Sequence, residues 1–477
     1  MVAKKMTEQE ARGIYDLGEE AVVAWMLAMD QRFRAVEETV KALEARLAQN
    51  SKNSSKPPSS DPDDTNLKPM SLRRKTGKKP GGQKGHKGQT LRQVNQPDQT
   101  QDHRPKTCPN CQADLDQQPS VGYTPRQVFE MPDPKIVVVE HRAHQVVCPC
   151  CSQHTQAHFP TGVNQPTQYG PNLLGFASYL HAQHLIPFAR CAQIVTEITG
   201  APFSPGSLHT ALKLAYERLE DFEEQVKEAL SQAPILHVDE TSSRVTGKRY
   251  WFHVRSTGKL TYLFCHAKRG REAVSDLLGY QGRLVSDFFS NYVTLACLHQ
   301  FCLAHICREL VGVFEQTGHE WAKCLKEHLE ACNAACHRAR QRGSSKLWNA
   351  RTLATQFDEL VSEGSRHNPV SIPVPGKRAR RSKARALIDR LREYRSDCLG
   401  FLFDLNVPFT NNQAERDIRM LKVKGKISGG FRRLEGALWF CRTRSYLQTC
   451  AKQGLSLLSC LRSVFAGEPI LPSFRHA

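Results

Sequence analysis

No stretch of this chain stays apolar for the ~18 residues that a membrane-spanning helix needs. Its opening residues, Met1-Val-Ala-Lys-Lys-Met-Thr-Glu-Gln-Glu10, lack the apolar core of an export signal. Both absences predict a soluble protein that stays where it is made, with no membrane partner. Acid is also scarce: 47 Asp and Glu stand against 66 Lys and Arg, a net charge of +19. That imbalance points to nucleic acid or another anionic surface. The scarcity is sharpest between Lys68 and Arg92, which hold no acidic residue, while residues 50–61 hold no residue able to form a core. Cysteine is not scarce, but its number, 17, is odd and most members are scattered through helical patterns. Without an export signal these read as reduced thiols, with paired Cys-x-x-Cys units as metal candidates.

The elements that are present divide the chain into seven segments. Residues 1–50 form an N-terminal helix, in which Val22, Met26, Met29, Phe33, Val36, Val40, Leu43 and Leu47 alternate steps of four and three. This heptad seam predicts a coiled coil, hence a homodimer or higher oligomer. Residues 51–100 are a basic, flexible linker whose Arg73, Arg74, Lys75, Lys78, Lys79, Lys84 and Lys87 suit backbone phosphates. Residues 101–162 hold two knuckles, Cys108-Pro-Asn-Cys111 and Cys148-Pro-Cys-Cys151. Thiolates at that spacing can close one tetrahedral, structural zinc site per chain, with strands expected over Arg126–His141. Cys150 is surplus, and His103 and His154 are alternative ligands. Residues 163–231 read as helices, Asn172–Leu185, Phe188–Thr199 and Ser204–Leu230, joined in a pattern like a helix-turn-helix.

From Ala233 the pattern becomes strand-like. Pro234–Asp239, Arg249–Arg255 and Lys259–His266 are three consecutive strands, followed by a short helix (Arg271–Leu278), a strand (Arg283–Phe289), and a strand (His299–Leu303) that leads into a helix through Phe314. That order is the order of a ribonuclease-H-like domain. The fold class expected is therefore multidomain α/β, with the core in two parts, 232–306 and 401–477, around a helical insertion at 307–400. Trp321, Leu325, Leu329, Cys332 and Cys336 line one face of that insertion, and Leu387, Leu391, Tyr394 and Cys398 another. A basic loop, Gly376–Arg385, lies between them.

Three acids end or begin these elements: Asp239 and Asp287 close strands, and Glu415 opens a helix. In the ribonuclease-H-like order the first and fourth strands end side by side, so Asp239 meets Asp287. Phosphodiester chemistry needs the attacking and leaving oxygens stabilised together, which two Mg²⁺ ions about 3.5–4 Å apart accomplish. Magnesium prefers hard oxygen donors, so three carboxylates (Asp239, Asp287 and Glu415) are the expected ligands, for Mg²⁺ or Mn²⁺. Without metal they repel one another and their pKa values rise. Each has a bland alternative. Asp239 can be a turn residue with Glu240 an equal acid on the other face, and Asp287 a cap. Glu415 can close a capping box with Asn412 or pair with Arg419.

The chain resembles bacterial DDE transposases of the insertion-sequence-66 type nearly from end to end. The resemblance is carried by Asn50–Asp61, Gly77–Gly88, the two knuckles, His237-Val-Asp-Glu-Thr241, Lys268-Arg-Gly270, Cys302-Leu-Ala-His305, and Asn411-Asn-Gln-Ala-Glu-Arg416 through Gly429-Gly-Phe-Arg432. It implies that Asp239, Asp287 and Glu415 are the catalytic triad. It also implies cleavage at element ends and joining of the 3′-OH to target DNA. One departure is the Phe288-Phe289 that follows Asp287, where such proteins often carry Gly-Tyr-like residues. Double-stranded DNA follows as partner, both terminal inverted repeats and target, in the nucleoid-associated cytoplasm, with accessory proteins of the same element. Arg416, Arg419, Lys422, Lys424, Lys426, Arg432 and Arg433 are expected on phosphates, and Cys302, His305, Asn411 and Asn412 as fold-positioning residues. The alternatives are a non-catalytic zinc-containing DNA-binding repressor and a ribonuclease-H-like nuclease without strand transfer.

Overall fold

The computed structural model describes residues 6–50, 52–54, 91–131, 134, 136–370 and 381–475. The basic residues expected at Arg73, Arg74, Lys75, Lys78, Lys79, Lys84 and Lys87 lie outside the described residues, as do residues 376–380 of the basic loop. The chain divides into two compact units, one of residues 1–72, 142–193 and 203–477, the other of residues 73–141 and 194–202.

In the smaller unit the strands expected over Arg126–His141 are absent among the described residues. Val137, Val138 and Val139 are apolar, but no second strand pairs with them among the described residues, and they stay exposed. A ladder needs a backbone partner. Here the Gln127 side chain takes that role upstream, accepting from the Val94 N–H and donating to the Val94 carbonyl at 2.8 Å each.

The larger unit opens with α1 (Glu8–Asp16) and α2 (Glu19–Leu47). Thr7 and Glu10 form a reciprocal capping box at the start of α1. Most of the heptad seam of α2 is exposed, with Phe33, Val36 and Leu43 between 51% and 64% accessible, while Val22 and Met29 are half-buried. The turn after α2 is seated on the helix over Leu303–Thr317, where Asn53 donates to Glu315 at 2.7 Å and its carbonyl packs on Gly312. A Cβ at Gly312 would stand 2.1 Å from that oxygen, so only glycine admits the contact.

A short hairpin, β1 (Gln145–Val147) and β2 (His154–Gln156), follows. Then come α3 (Pro171–Ala182), α4 (Phe188–Thr199), α5 (Pro205–Arg218) and α6 (Glu220–Ser231). The expected helix over Ser204–Leu230 breaks at Leu219, whose ψ of 14 interrupts the ladder between α5 and α6. Ser204 caps α5 through the Ser207 N–H, with Pro205 at its first position.

The central sheet has five strands: β3 (Ile235–Val245), β4 (Lys248–Ser256), β5 (Thr261–His266), β6 (Arg283–Ser286) and β7 (Leu298–Phe301), in the order β5-β4-β3-β6-β7. The first three pair antiparallel, while β6 and β7 run parallel to β3. Thr246 and Gly247, both at positive φ, make the two-residue turn between β3 and β4. A 3-10 turn (Arg271–Leu277) precedes β6, and α7 (Ser290–Val293) follows it. The helical insertion contains α8 (Leu303–Thr317), α9 (Glu320–Gln341), α10 (Ala350–His367), α11 (Lys383–Glu393) and α12 (Arg395–Phe403). Its core gathers Trp321, Leu325, Leu329, Cys332, Cys336, Leu387, Leu391 and Cys398, with Tyr394 packed against it, as the periodicity predicts. The chain then closes with α13 (Asn412–Ser428), α14 (Leu434–Lys452) and α15 (Leu457–Ala466).

Strand β5 is the open edge on one side, and α14 covers it. Ser445 accepts from the Leu263 N–H at 2.8 Å, and Thr449 from the Thr261 N–H at 3.0 Å. Two hydroxyls thus satisfy edge donors that would otherwise invite another strand. Helices α3, α5 and α6 share a core with the sheet and with α14 and α15, through Phe222, Leu236, Leu284, Tyr446 and Leu461.

Candidate active site and zinc segment

The parallel register of β3 and β6 sets the site. Ile235 pairs Arg283, Leu236 pairs Leu284 and His237 pairs Val285. Carried two residues further, the same offset aligns Asp239 with Asp287. Strand β3 runs on to Val245, so Asp239 lies within the strand rather than closing it, while Asp287 directly follows the carboxyl end of β6, where ligand sites in such sheets gather. The Asp239 carboxyl accepts the Glu240 N–H at 2.8 Å, and that of Asp287 accepts the Phe289 N–H at 3.0 Å.

Electrostatics ties the third acid to this pair. The Asp239 carboxyl is pushed up to about 7, first by burial and then by the charges of Glu240, Asp287 and Glu415, against the Glu240 N–H. A carboxyl in that condition favours a proton or a cation as neighbour. Glu415 sits on the first turn of α13, and its Oε1 is buried with no hydrogen-bond partner. Asn411 caps α13 without a side-chain cap bond, and Asn412, the residue offered as the cap partner of Glu415, is already the first residue of the helix, so that capping box does not form. No ion pair joins Glu415 to Arg419 among the described residues.

Glu240, the equal acid of the sequence reading, is occupied otherwise. Arg269 holds its Oε1 at 2.6 and 2.9 Å, and the Tyr292 hydroxyl donates to its Oε2 at 2.8 Å. Arg269 is itself stacked over Phe289 at 4.0 Å and Trp251 at 4.9 Å. This bracing group of Glu240, Arg269 and Tyr292 was not singled out from sequence. Its only sequence signal is the pair of motifs His237–Thr241 and Lys268–Gly270. The departure at Phe288-Phe289 also finds its place. The Phe288 ring stacks on Phe301 at 3.9 Å in the helical-insertion core, and Phe289 packs on Tyr292 and Arg269.

Asn411 links the strand to the helix. Its side chain donates to the Val238 carbonyl at 2.7 Å and meets His237 Nδ1 at 3.0 Å, while its N–H donates to the Cys302 Sγ at 3.2 Å. Cys302 N–H in turn donates to the Ser286 carbonyl at 2.8 Å, one residue before Asp287. Asn411 and Cys302 therefore fix the approach of α13 and α8 to both aspartate-bearing strands. Asn412 supplies only its carbonyl, to Arg416 at 3.3 Å. Cys302, His305 and Glu415 bring one ligand atom each within 4.8 Å of one another. His305 is pushed up to about 9: burial opposes this, but Cys302 and Glu415 outweigh it.

Arg416, Arg419, Lys422 and Lys426 are exposed on α13. By the 3.6 period, Arg419, Lys422 and Lys426 share the face of Glu415 and run away from it along the helix. No carboxylate pairs with them among the described residues. Lys424 departs from the expected set. It is 5% exposed, with its Nζ over the rings of Phe431 and Phe440 at 5.2 and 5.4 Å, and burial pulls its ammonium down to about 8. It faces the core with Ala414, Ile418 and Leu421 and cannot reach a phosphate. Beyond α13, Gly429 ends the helix in the left-handed region, and Phe431 bridges back to Val245 at the β3–β4 hairpin. This leaves Arg432 and Arg433 exposed.

Each cysteine knuckle makes the same turn. Cys108 donates to the Ala113 carbonyl and accepts at its own carbonyl from Gln112, and Cys148 does likewise with Gln153 and Ser152. Gln112 and Ser152 both adopt positive φ. Backbone N–H groups aimed at the sulfur, of Cys111 and Asn110 on one thiol and of Cys151 and Cys150 on the other, hold Cys108 and Cys148 below the usual thiol range. Such thiols suit a metal ion that needs thiolate.

Acids aligned on neighbouring parallel strands beside a basic helix face, with cysteine knuckles upstream, fit a protein that processes DNA. The Transposase IS66 family matches residues 166–438, and the zinc-finger binding domain of transposase IS66 matches residues 105–152. A family of unknown function (DUF6444) matches residues 7–92. The chain belongs to the IS66 transposase family, and the zinc-finger match supports zinc as the ion of its knuckle segment. No curated protein matches it. No helix among the described residues is long and apolar enough to cross a membrane.

Proposed function

We propose that the chain is a DDE transposase that cleaves the ends of an insertion sequence and joins the 3′-OH ends to target DNA, with Asp239, Asp287 and Glu415 as its catalytic acids. The observation that carries this reading is the parallel register that aligns Asp239 with Asp287, together with the upward push on Asp239 from Asp287 and Glu415. The strand order of the sheet, antiparallel through β5, β4 and β3 and then parallel through β6 and β7, supports a ribonuclease-H-like core. The donor set is all carboxylate oxygen, which suits Mg²⁺ or Mn²⁺.

A pair of such ions, when bound, polarises the phosphodiester and stabilises the attacking and leaving oxygens. The chain's own residues do the rest. Glu240, locked by Arg269 and Tyr292, holds the middle of β3 still beside Asp239. Asn411 sets the helix that carries Glu415. Arg416, Arg419, Lys422 and Lys426 align backbone phosphates along α13, with Arg432 and Arg433 beyond its end. The knuckle segment holds structural zinc, each Cys-x-x-Cys offering a pair of thiolates. The partner is double-stranded DNA, terminal inverted repeats and target alike, in the cytoplasm. The exposed seam of α2 pairs two copies.

The test is Asp239→Ala. Cleavage of labelled element ends in Mg²⁺ is expected to vanish while end binding survives, and unchanged cleavage overturns the assignment. Pre-cut 3′-OH ends offered with a plasmid target are expected to give joined product. Cleavage without joining would make the protein a nuclease.

A further inference from the structure

Cys302 and His305 form, with Glu415, a cluster whose sulfur and imidazole the carboxylate chemistry does not use. Cys302 lies at the start of α8, fully buried, and His305 one turn later; Glu415 comes from α13. A sulfur, an imidazole nitrogen and a carboxylate oxygen all stand within 4.8 Å of one another. Ligand atoms on one tetrahedral zinc are about 3.5 Å apart, given bonds of roughly 2.0–2.3 Å. Side-chain adjustments of about an ångström therefore seat an ion. Two buried atoms in the cluster, His305 Nδ1 and Glu415 Oε1, have no hydrogen-bond partner. Leaving such atoms unpaired is costly, and a cation satisfies them. The Asn411 N–H on the Cys302 sulfur, at 3.2 Å, orients it.

We propose that Cys302, His305 and Glu415 are a second metal site, selective for a thiophilic divalent ion such as Zn²⁺, that draws Glu415 away from the aspartates. Thiolate and imidazole discriminate against Mg²⁺, which prefers oxygen, and favour zinc. Three protein ligands leave a fourth position to water. On binding, the Cys302 thiol and the His305 imidazolium each give a proton to solvent as the sulfur–zinc and nitrogen–zinc bonds form. Glu415 cannot serve this ion and a magnesium pair at once. Zinc is thus an inhibitor of the Mg²⁺-dependent reaction, a consequence that rests on the reading of Glu415 as a catalytic acid.

The test is zinc content of the full chain after dialysis against dilute Zn²⁺. Cys302→Ser, His305→Gln and Glu415→Gln are each expected to lose one ion per chain that the Cys108→Ser/Cys148→Ser variant retains. Content unchanged by all three substitutions overturns the site. Serine keeps an acceptor for the Asn411 N–H. Should Cys302→Ser unfold by circular dichroism, Glu415→Gln, on the first turn of its helix, carries the same measurement. In end cleavage with Mg²⁺, the zinc concentration giving half-inhibition is expected to rise on the order of tenfold in Cys302→Ser. Equal inhibition in that variant and wild type, with the ion lost, overturns the regulatory role. Absence of any cleavage by wild type in Mg²⁺ strikes the role of Glu415 and leaves the ion count standing.

Discussion

At the residue scale, burial decides what titratable groups do here. His253 lies in the sheet with neither ring nitrogen hydrogen-bonded, stacked on Phe264 at 5.0 Å. Burial, then the charge of Arg255, pulls it down to about 4. His181 and His237 are likewise pulled to about 4, chiefly by burial. These groups stay neutral in the fold, yet the unfolded chain protonates them near pH 6.5. Their contribution is therefore fully present above about pH 6.5 and is lost as pH falls toward the folded value near 4. The Asp239 carboxyl, raised to about 7, and those of Glu240 and Asp397, also raised chiefly by burial, work in the opposite direction across that window. Asp239→Asn removes one of these opposing protons, so the stability of the metal-free variant in urea is expected to fall relative to the parent between about pH 6.5 and 4, by up to about 1.4 kcal/mol per pH unit. Parallel profiles of variant and parent would show that the Asp239 carboxyl is open to water in solution.

At the scale of the element, α13 carries two populations of cations that the sequence alone ran together. Lys424 falls three residues after Leu421 and six after Ile418, which is the buried period, so the signal to separate it was present in the spacing. The charge obscured it, because a lysine among lysines reads as surface. Lys424→Met is expected to leave end binding and its salt dependence unchanged, and stability equal or higher, since it replaces a desolvated ammonium between two rings. Arg419→Ala and Lys422→Ala are each expected to weaken binding across sequences and to lower the slope of log affinity against log salt by about 1. Identical effects from all three would mean that Lys424 swings out to DNA. Much else was legible at this scale. The strand order followed from alternation, hairpin signals and β-branched runs, and the insertion core from its 3.6 period. What was not legible came from distant partners. The polar run Thr241–Val245 extends β3 because Lys248–Phe252 pairs with it and Phe431 bridges to its end. Val137–Val139 has strand composition but no neighbour. Asn411, expected only to position the helix, binds Val238 across 173 residues of chain, a contact no local pattern encodes.

At the scale of the whole molecule, α2 is the element whose design is incomplete within one chain. Its seam steps by four and three over 22–47, yet Met26, Phe33, Val36, Val40, Leu43 and Leu47 are all between 46% and 85% exposed. An isolated helix of this kind loses the burial that makes amphipathic helices stable in water. Covering each seam side chain against a second copy returns roughly 1.5–3 kcal/mol for every large apolar residue fully buried. The turn that follows α2 is anchored on α8 by Asn53, so two helices paired along the seam would tether two catalytic units. Transposition joins two element ends, and two units held by one coiled coil would present two such sites together. Val36→Asp with Leu43→Asp places charge in the middle of the seam without touching α8 or the sheet. Sedimentation of the double variant is expected to give monomers where the parent gives dimers, with single-end binding retained and joining of paired ends lost. Dimers that persist would assign the seam to packing within its own chain, and monomers that still join paired ends would separate assembly from α2 altogether.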